Sequence, residues 1–449
     1  MAYAVLGLIS AAIGEQNLAK ENIQKAFDLR NQVSDREKLY IEWLYYTGIT
    51  GELEKALQTL ELWVQTYSRD AGARNYLGFT YFYLGQYERA LTEFGEARRL
   101  NGSSSQYLTS YVNALLCLNR LEDAQKAAIQ TRTQKLDSPD LRYVIYFLAF
   151  LQKDTSEMNQ QLAYAADKPA IESWFLEAEA DTAAYGGRLE KAREFTRQAV
   201  ESAQNADQKE EAATYEAASA VREALFGNLE RAKQQAAKTS QFATGGDVEY
   251  LAALAFAIAG DSAKGQALAE DMAKKESAAT LMRFKYVPTV YAQLALANRD
   301  ATRAIETLRS SSPYELGSTG TSGAANLSLH AVYVRGVAYL ASRQRGHYRV
   351  PENSRPPRHC LELTHRCTCS APTWSRLRHA GRHRQGQSGL SGFPYAVERR
   401  RPRHPDPEAS HSRVREPAIA GLRLTFASVR PTISGNGDFL PVCRSWRLA

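Results

Sequence analysis

A chain of 449 residues that is 44% hydrophobic and 23% charged, with 15 Pro and 5 Cys, holds enough apolar material for a sizeable core, which excludes wholesale disorder and a disulfide-stapled miniprotein. Its net charge of +7 is uneven: the 105 residues after Gln344 carry 11 of the Pro, 7 of the 8 His, 4 of the Cys, 7 acids, 19 Arg and no Lys, a net +12 that leaves residues 1–344 at −5. The basic balance therefore belongs to the C-terminal segment and does not make the whole chain a nucleic-acid binder.

The opening MAYAVLGLISAAIG is apolar but has no Lys or Arg before Lys20, and it is shorter than the roughly 20 apolar residues that a membrane span needs. It reads as the first helix of a hairpin, with Leu6, Gly7, Gly14 and Ala19 at repeat positions. With no leader and no membrane segment identified, the expected compartment is the cytoplasm. Cys117, alone in the first 344 residues, reads as a small core residue, and disulfides play no part.

The chain is organised by a repeat. In NYLGFTYFYLGQYERALTEFGEARRL (75–100), Leu77, Gly78 and Tyr81 share one helix, Gly85 closes a turn, and Tyr87, Ala90, Phe94 and Ala97 fall at helical spacing on a second. Steps of 34 residues from Gly85 and Ala90 reach Gly51 and Ala56 upstream, then Asn119 with Ala124, Lys153 with Met158, and Gly187 with Ala192 downstream. Less regular copies follow at Gly227 with Ala232, at Gly260, and at Arg299 with Ala304. The turn residues suit the left-handed conformation that ends a helix, Lys153 and Arg299 at greater cost, and the small residues let the paired helices approach. The predicted architecture is all-α: a superhelix of about nine helical hairpins over residues 1–344 plus an orphan helix from Asn326 to Gln344, with Gly336 and Tyr339 at repeat positions.

The pattern stops in mid-unit. RGHYRVPENSRPPRHC follows, and Pro351, Pro356 and Pro357 forbid the second helix of that hairpin. Codons for His347–Cys360 can be chosen so that reading from the second base restores a helix, and the same offset turns the stretches around 381–394 and 397–406 into repeat-like sequence. Residues 345–449 are accordingly expected to be an Arg/Pro/His-rich tail, read out of frame and disordered. His359, Cys360, His365, Cys367 and Cys369 cluster there, but Cys367 and Cys369 have one residue between them and no second pair follows, which does not fit a zinc site. No metal or other cofactor is implied anywhere in the chain, and the run Arg399–Arg401 implies no specific nucleic-acid partner.

The signature positions resemble the tetratricopeptide repeat, with Arg74 at its Trp position and Gly102 in place of its closing Pro. Over residues 1–344, strings such as SDREKLYIEWLYYTGITGELEKALQTLELWVQTY, KLDSPDLRYVIYFLAFLQ, EADTAAYGGRLEKAREFTRQAV and SPYELG also resemble the repeat array attached to bacterial serine/threonine protein kinases of the eukaryotic type. The kinase signatures themselves are missing, so no catalytic residue is carried over and no enzyme activity is expected. The resemblance implies a non-catalytic scaffold for a protein or peptide partner, or alternatively the severed regulatory region of such a kinase.

The functional surface of such an array is its concave wall. With Gly85 at the fifteenth position of the repeat frame, the wall-facing positions hold Tyr45, then Asn75, Phe79, Phe82 and Tyr83, then Asn113. They continue as Tyr143, Phe147 and Phe150, then Glu177, Asp181 and Tyr185, an aromatic stripe with an acidic end. The basic side chains that hold a peptide's terminal carboxylate in the chaperone-binding members of this repeat class are not at these positions.

The tail yields a direct test. Limited trypsin digestion is expected to remove it and leave a stable fragment ending between Arg309 and Arg345, and deleting it is expected to leave the melting temperature unchanged.

Overall fold

The computed structural model describes residues 1–12, 16–239, 245–318 and 329–344. The tail from Arg345 onward, with the His/Cys cluster and the Arg run, lies outside the described residues, as do 326–328 at the expected start of the last helix.

The described chain is all-helical, a tandem array of helical hairpins, with no strand among the described residues. Neighbouring helices pair: α1 (Ala2–Ala12) with α2 (Gln16–Asp28), α3 (Asp35–Gly48) with α4 (Leu53–Thr66), and α5 (Ala71–Tyr83) with α6 (Tyr87–Leu100). Next come α7 (Ser105–Cys117) with α8 (Leu121–Thr133), α9 (Pro139–Gln152) with α10 (Thr155–Ala165), and α11 (Pro169–Tyr185) with α12 (Leu189–Asn205). Then follow α13 (Lys209–Leu225) with α14 (Leu229–Thr239), α15 (Gly246–Ile258) with α16 (Ser262–Lys275), and α17 (Val287–Ala297) with α18 (Ala301–Thr307). A π-helical stretch, Met282–Tyr286, leads into α17, and α19 (His330–Gln344), without a second helix of its own among the described residues, packs Val334, Ala338 and Tyr339 against α17 and α18.

The first helices of successive hairpins start on side-chain caps. Ser34, Asp70, Ser104 and Ser138 each accept the amide N–H three residues on, opening α3, α5, α7 and α9, and Ser34 completes a capping box with Glu37. The turns inside the hairpins stand at the positions read from the repeat, at 34-residue steps from Gly51 to Gly187 and at less regular ones beyond. Gly51, Gly85, Gly187, Gly227 and Gly260 lie at φ between 65° and 86°, and Asn119, Lys153 and Arg299 adopt φ of 58° to 62°. At Gly85 the amide N–H donates to the Phe82 carbonyl at 2.9 Å and the Gln86 N–H to the Tyr81 carbonyl at 2.8 Å. The same pair of bonds recurs after α7, α9, α11, α13 and α17, including at Lys153 and Arg299, whose side chains have to tolerate the left-handed turn.

Inside each pair the helices touch through small residues. Ala56, Ala90, Ala124, Ala192, Ala232 and Ala304, all read from the repeat, are 0% exposed. At Gly78 a Cβ would stand 2.5 Å from the Phe94 ring, so no larger residue fits without displacing that ring. Cys117 is buried, as its apolar setting predicts. The step from Gly187 to the next turn exceeds 34 residues because α12 and α13 each run 17 residues, against the 13 or 14 of α5 and α6. Leu6, at the position Leu77 holds in α5, is 48% exposed where Leu77 is 3%, because no described hairpin packs on that side of α1.

The superhelix also returns on itself. The Thr280 N–H donates to the Gly51 carbonyl at 2.9 Å, and the Ser318 N–H donates to the Tyr83 carbonyl at 2.9 Å. One apolar core thereby runs from α3–α6 to α15 and α17, joining Phe82 and Tyr83 to Leu281, Met282 and Val290.

Turn substitutions separate the two costs of a left-handed residue. Gly227 has open space around it, so Gly227→Ala is expected to cost about 1–2 kcal/mol from the backbone alone. At Gly85 a Cβ would also meet the Leu316 carbonyl carbon at 2.6 Å, so Gly85→Ala is expected to cost more, whereas Lys153→Gly should stabilise by about 0.5 kcal/mol once the entropy of glycine is counted. Guanidinium melts of the three variants check the order.

Candidate functional site

The wall positions come from five successive first helices, α3, α5, α7, α9 and α11, and the structure places most of them inside. Asn75, Phe79, Phe82, Tyr83, Asn113, Tyr143, Phe147 and Glu177 are buried, Tyr45, Phe150 and Asp181 half-buried, and Tyr185 is 52% exposed. Tyr45 stacks on Phe27 of the preceding hairpin with ring centroids 3.7 Å apart. Phe79 and Phe82 meet their own hairpin partner, at 5.1 Å from Phe94 and 5.0 Å from Tyr87. Further on, Tyr143 sets its ring edge-on to Phe147 at 5.1 Å and to Phe175 at 5.5 Å. Both polar atoms of the Asn75 amide are buried within α5.

The acidic end of the stripe is an ion-pair cluster. The fully buried Glu177 and the half-buried Asp181, one turn apart on α11, both accept from Arg222 of α13, at 2.9 Å and 2.8 Å. Arg222 also donates to the Thr196 hydroxyl of α12 at 3.0 Å, so three helices of two hairpins meet at one guanidinium. With one cation between two carboxylates in a site with little water, ionising both would leave an excess negative charge, which favours keeping one of them protonated. Burial, with Asp181 adding to it, pushes the Glu177 carboxyl up to about 8 against the pull of Arg222. A second pair lies alongside, where Arg193 of α12 grips the buried Glu223 carboxylate with two bonds, at 2.6 Å and 2.8 Å. Burial opposes that charge, but Arg193 and Asn228 hold the Glu223 carboxyl below its ordinary value.

Reading the sequence by repeat position found Glu177 and Asp181 but missed their partner. Arg222 and Glu223 interrupt an Ala-rich helix, which was the available signal, yet the longer helices after Gly187 shift the frame that would have matched them to α11. At the other edge of the stripe, Phe150 and Tyr185 meet edge-to-face at 5.5 Å, and Tyr185 presents its other side to solvent. No group of three or more His, Cys, Asp or Glu that could hold a metal ion occurs among the described residues, and no described helix is long and apolar enough to cross a membrane.

No family model matches the chain, and no curated protein matches it. Among solved structures it is similar to the human IFIT1 dimer with PPP-AAAA, at 13% identity over 84% of this chain and 82% of that one, with a TM-score of 0.38. It is also similar to Naa15/Naa10 bound to HypK-THB, at 13% identity over 85% of this chain and 61% of that one, with a TM-score of 0.26. A third likeness is to the P58(IPK) TPR domain, at 14% identity over 77% and 98%, with a TM-score of 0.19. At these identities and scores no ligand or activity carries over from them.

The cluster has a pH signature. Glu177 holds its proton up to about pH 8 when folded and loses it near 4.5 when unfolded, so between those values the folded state binds the extra proton and stability falls as pH rises. Glu177→Gln removes that dependence. Urea melts of wild type and variant should run closest near pH 5 and diverge toward pH 8, the wild type losing on the order of a few kcal/mol relative to the variant.

Proposed function

We propose that this chain is a non-catalytic scaffold that binds a protein or peptide segment along the concave side of its hairpin array. The reading is carried by the Phe150–Tyr185 step. Two aromatic rings from successive hairpins, one of them 52% exposed, stand one turn from the Asp181 carboxylate, whose side chain keeps 30% of its surface in solvent. A large ring held on one side by a neighbour and open on the other is an anchor that costs little ordering to use, and exposed aromatics of this kind dominate the energetics of recognition surfaces. Tyr45, half-buried against Phe27, gives a second anchor nearer the start of the array. The buried wall residues set the shape between the two anchors and carry no direct contact in this reading. An apolar or aromatic side chain with a hydrogen-bond donor beside it is the complementary chemistry, since the Asp181 carboxylate keeps part of its surface in solvent next to Tyr185.

Selection from a displayed peptide library tests this. Peptides chosen on the wild-type chain should lose about tenfold or more in affinity on Phe150→Ser/Tyr185→Ser, a hot-spot magnitude, while circular dichroism stays helical. Undiminished binding by that variant would place the recognition surface elsewhere.

A further inference from the structure

The segment Ser312–Gly317, the SPYELG string, belongs to no hairpin, yet nearly every residue of it holds a partner far away in sequence. The Tyr314 hydroxyl donates to Glu54 at 2.6 Å, and the Tyr314 ring stacks on Phe284 with centroids 5.2 Å apart. Glu315 pairs with Arg335 of α19 at 2.6 Å. The Leu316 carbonyl accepts from the Tyr87 hydroxyl at 2.7 Å, and the Gly317 carbonyl accepts from the buried Lys285 ammonium at 2.5 Å. The Ser318 N–H closes the series on the Tyr83 carbonyl at 2.9 Å. Beside it, Thr280 accepts the Leu53 N–H at 3.1 Å, donates its hydroxyl to Glu54, and donates its own N–H to the Gly51 carbonyl.

The fit is close as well as polar. A Cβ on Gly85 would stand 2.7 Å from the Gly317 nitrogen, and a Cβ on Gly317 would stand 2.6 Å from the Tyr83 oxygen. The backbones of the α5–α6 turn and of this segment therefore touch at two glycines. Glu54, Tyr83 and Tyr87 lie on the second and third hairpins, whereas Thr280, Phe284 and Lys285 lead into the ninth. One short segment thus spans the seam where the superhelix meets itself.

We propose that residues 312–318 are a latch that holds the superhelix as a closed ring, and that its release opens the ring into a spiral. Where the two ends of the shared apolar core meet, the segment adds a handful of hydrogen bonds, one stacked ring pair and Leu316, a smaller area than the full face of buried side chains that holds each hairpin. Such a joint breaks before the hairpins do, because non-local contacts are added to units that are already stable through their nearest neighbours. Closure stands independently of the groove reading. Only its consequence, control of a partner's access to the concave side, rests on that reading.

The test reads a distance and involves no partner. Spin labels on Lys55→Cys and Arg283→Cys, two exposed positions flanking the seam, are introduced into the full-length chain with Cys117→Ala and the four tail cysteines replaced by serine. With the native segment they should report one short distance; with 312–317 replaced by a Gly-Ser hexapeptide that short distance should be lost while circular dichroism remains helical. A short distance that persists in a helical variant overturns the proposal. Should the replacement fail to fold, Tyr87→Phe/Tyr314→Phe keeps both rings and removes only the two donated hydroxyls. Amide exchange at Ser318 and Leu53 should then quicken by about tenfold; unchanged exchange at both amides overturns the proposal equally.

Discussion

A helix that is apolar around its whole circumference is stable only with neighbours on every side, and that requirement shapes this molecule. α5 is buried continuously from Asn75 to Tyr83, and α15 from Tyr250 to Ala257, whereas α6 buries only Tyr87, Ala90, Phe94 and Ala97. A second helix of this kind can face water; a first helix such as α5 cannot. The first helices therefore stack in an inner row and the second helices screen them, so a hairpin gains its stability from the hairpins before and after it. α19 meets the same demand by lying on α17 and α18, with Arg335 reaching the Leu308 carbonyl at 3.2 Å.

What was legible in the sequence is what the local chain must satisfy. A left-handed residue has to end each first helix, and glycine or asparagine every 34 residues announces it, so the turns at Gly51, Gly85, Asn119 and Gly187 could be placed to the residue. Lys153 could be placed by the 34-residue step alone and Arg299 only through the Ala304 that follows it, since their chemistry argues against the conformation they hold. Left-handed Lys135, Asp167 and Asp207, between hairpins, gave no comparable signal because those connections follow no fixed spacing.

Long-range geometry was not legible. Repeat position tells which way a side chain leaves its helix but not what covers it, so Phe82 and Phe147 were assigned to the wall without any sign that they are 3% and 2% exposed. The contacts across the seam join residues more than 220 positions apart, from Glu54 to Thr280 and from Tyr87 to Leu316, and no periodicity records them. Arg222 lay hidden for a related reason: it compensates carboxylates two helices away, across the point where the repeat lengthens.

The seam changes how such a chain reaches its native state. A linear array of hairpins has almost entirely local contacts, so it folds quickly and from any starting hairpin. Joining the second and third hairpins to the ninth adds contacts of very large loop length, whose entropy is spent only once both ends are formed. Closure is then the last event in folding and the first undone in unfolding. A chain still emerging from the ribosome passes through the open form, for as long as residues beyond Thr307 have yet to be made.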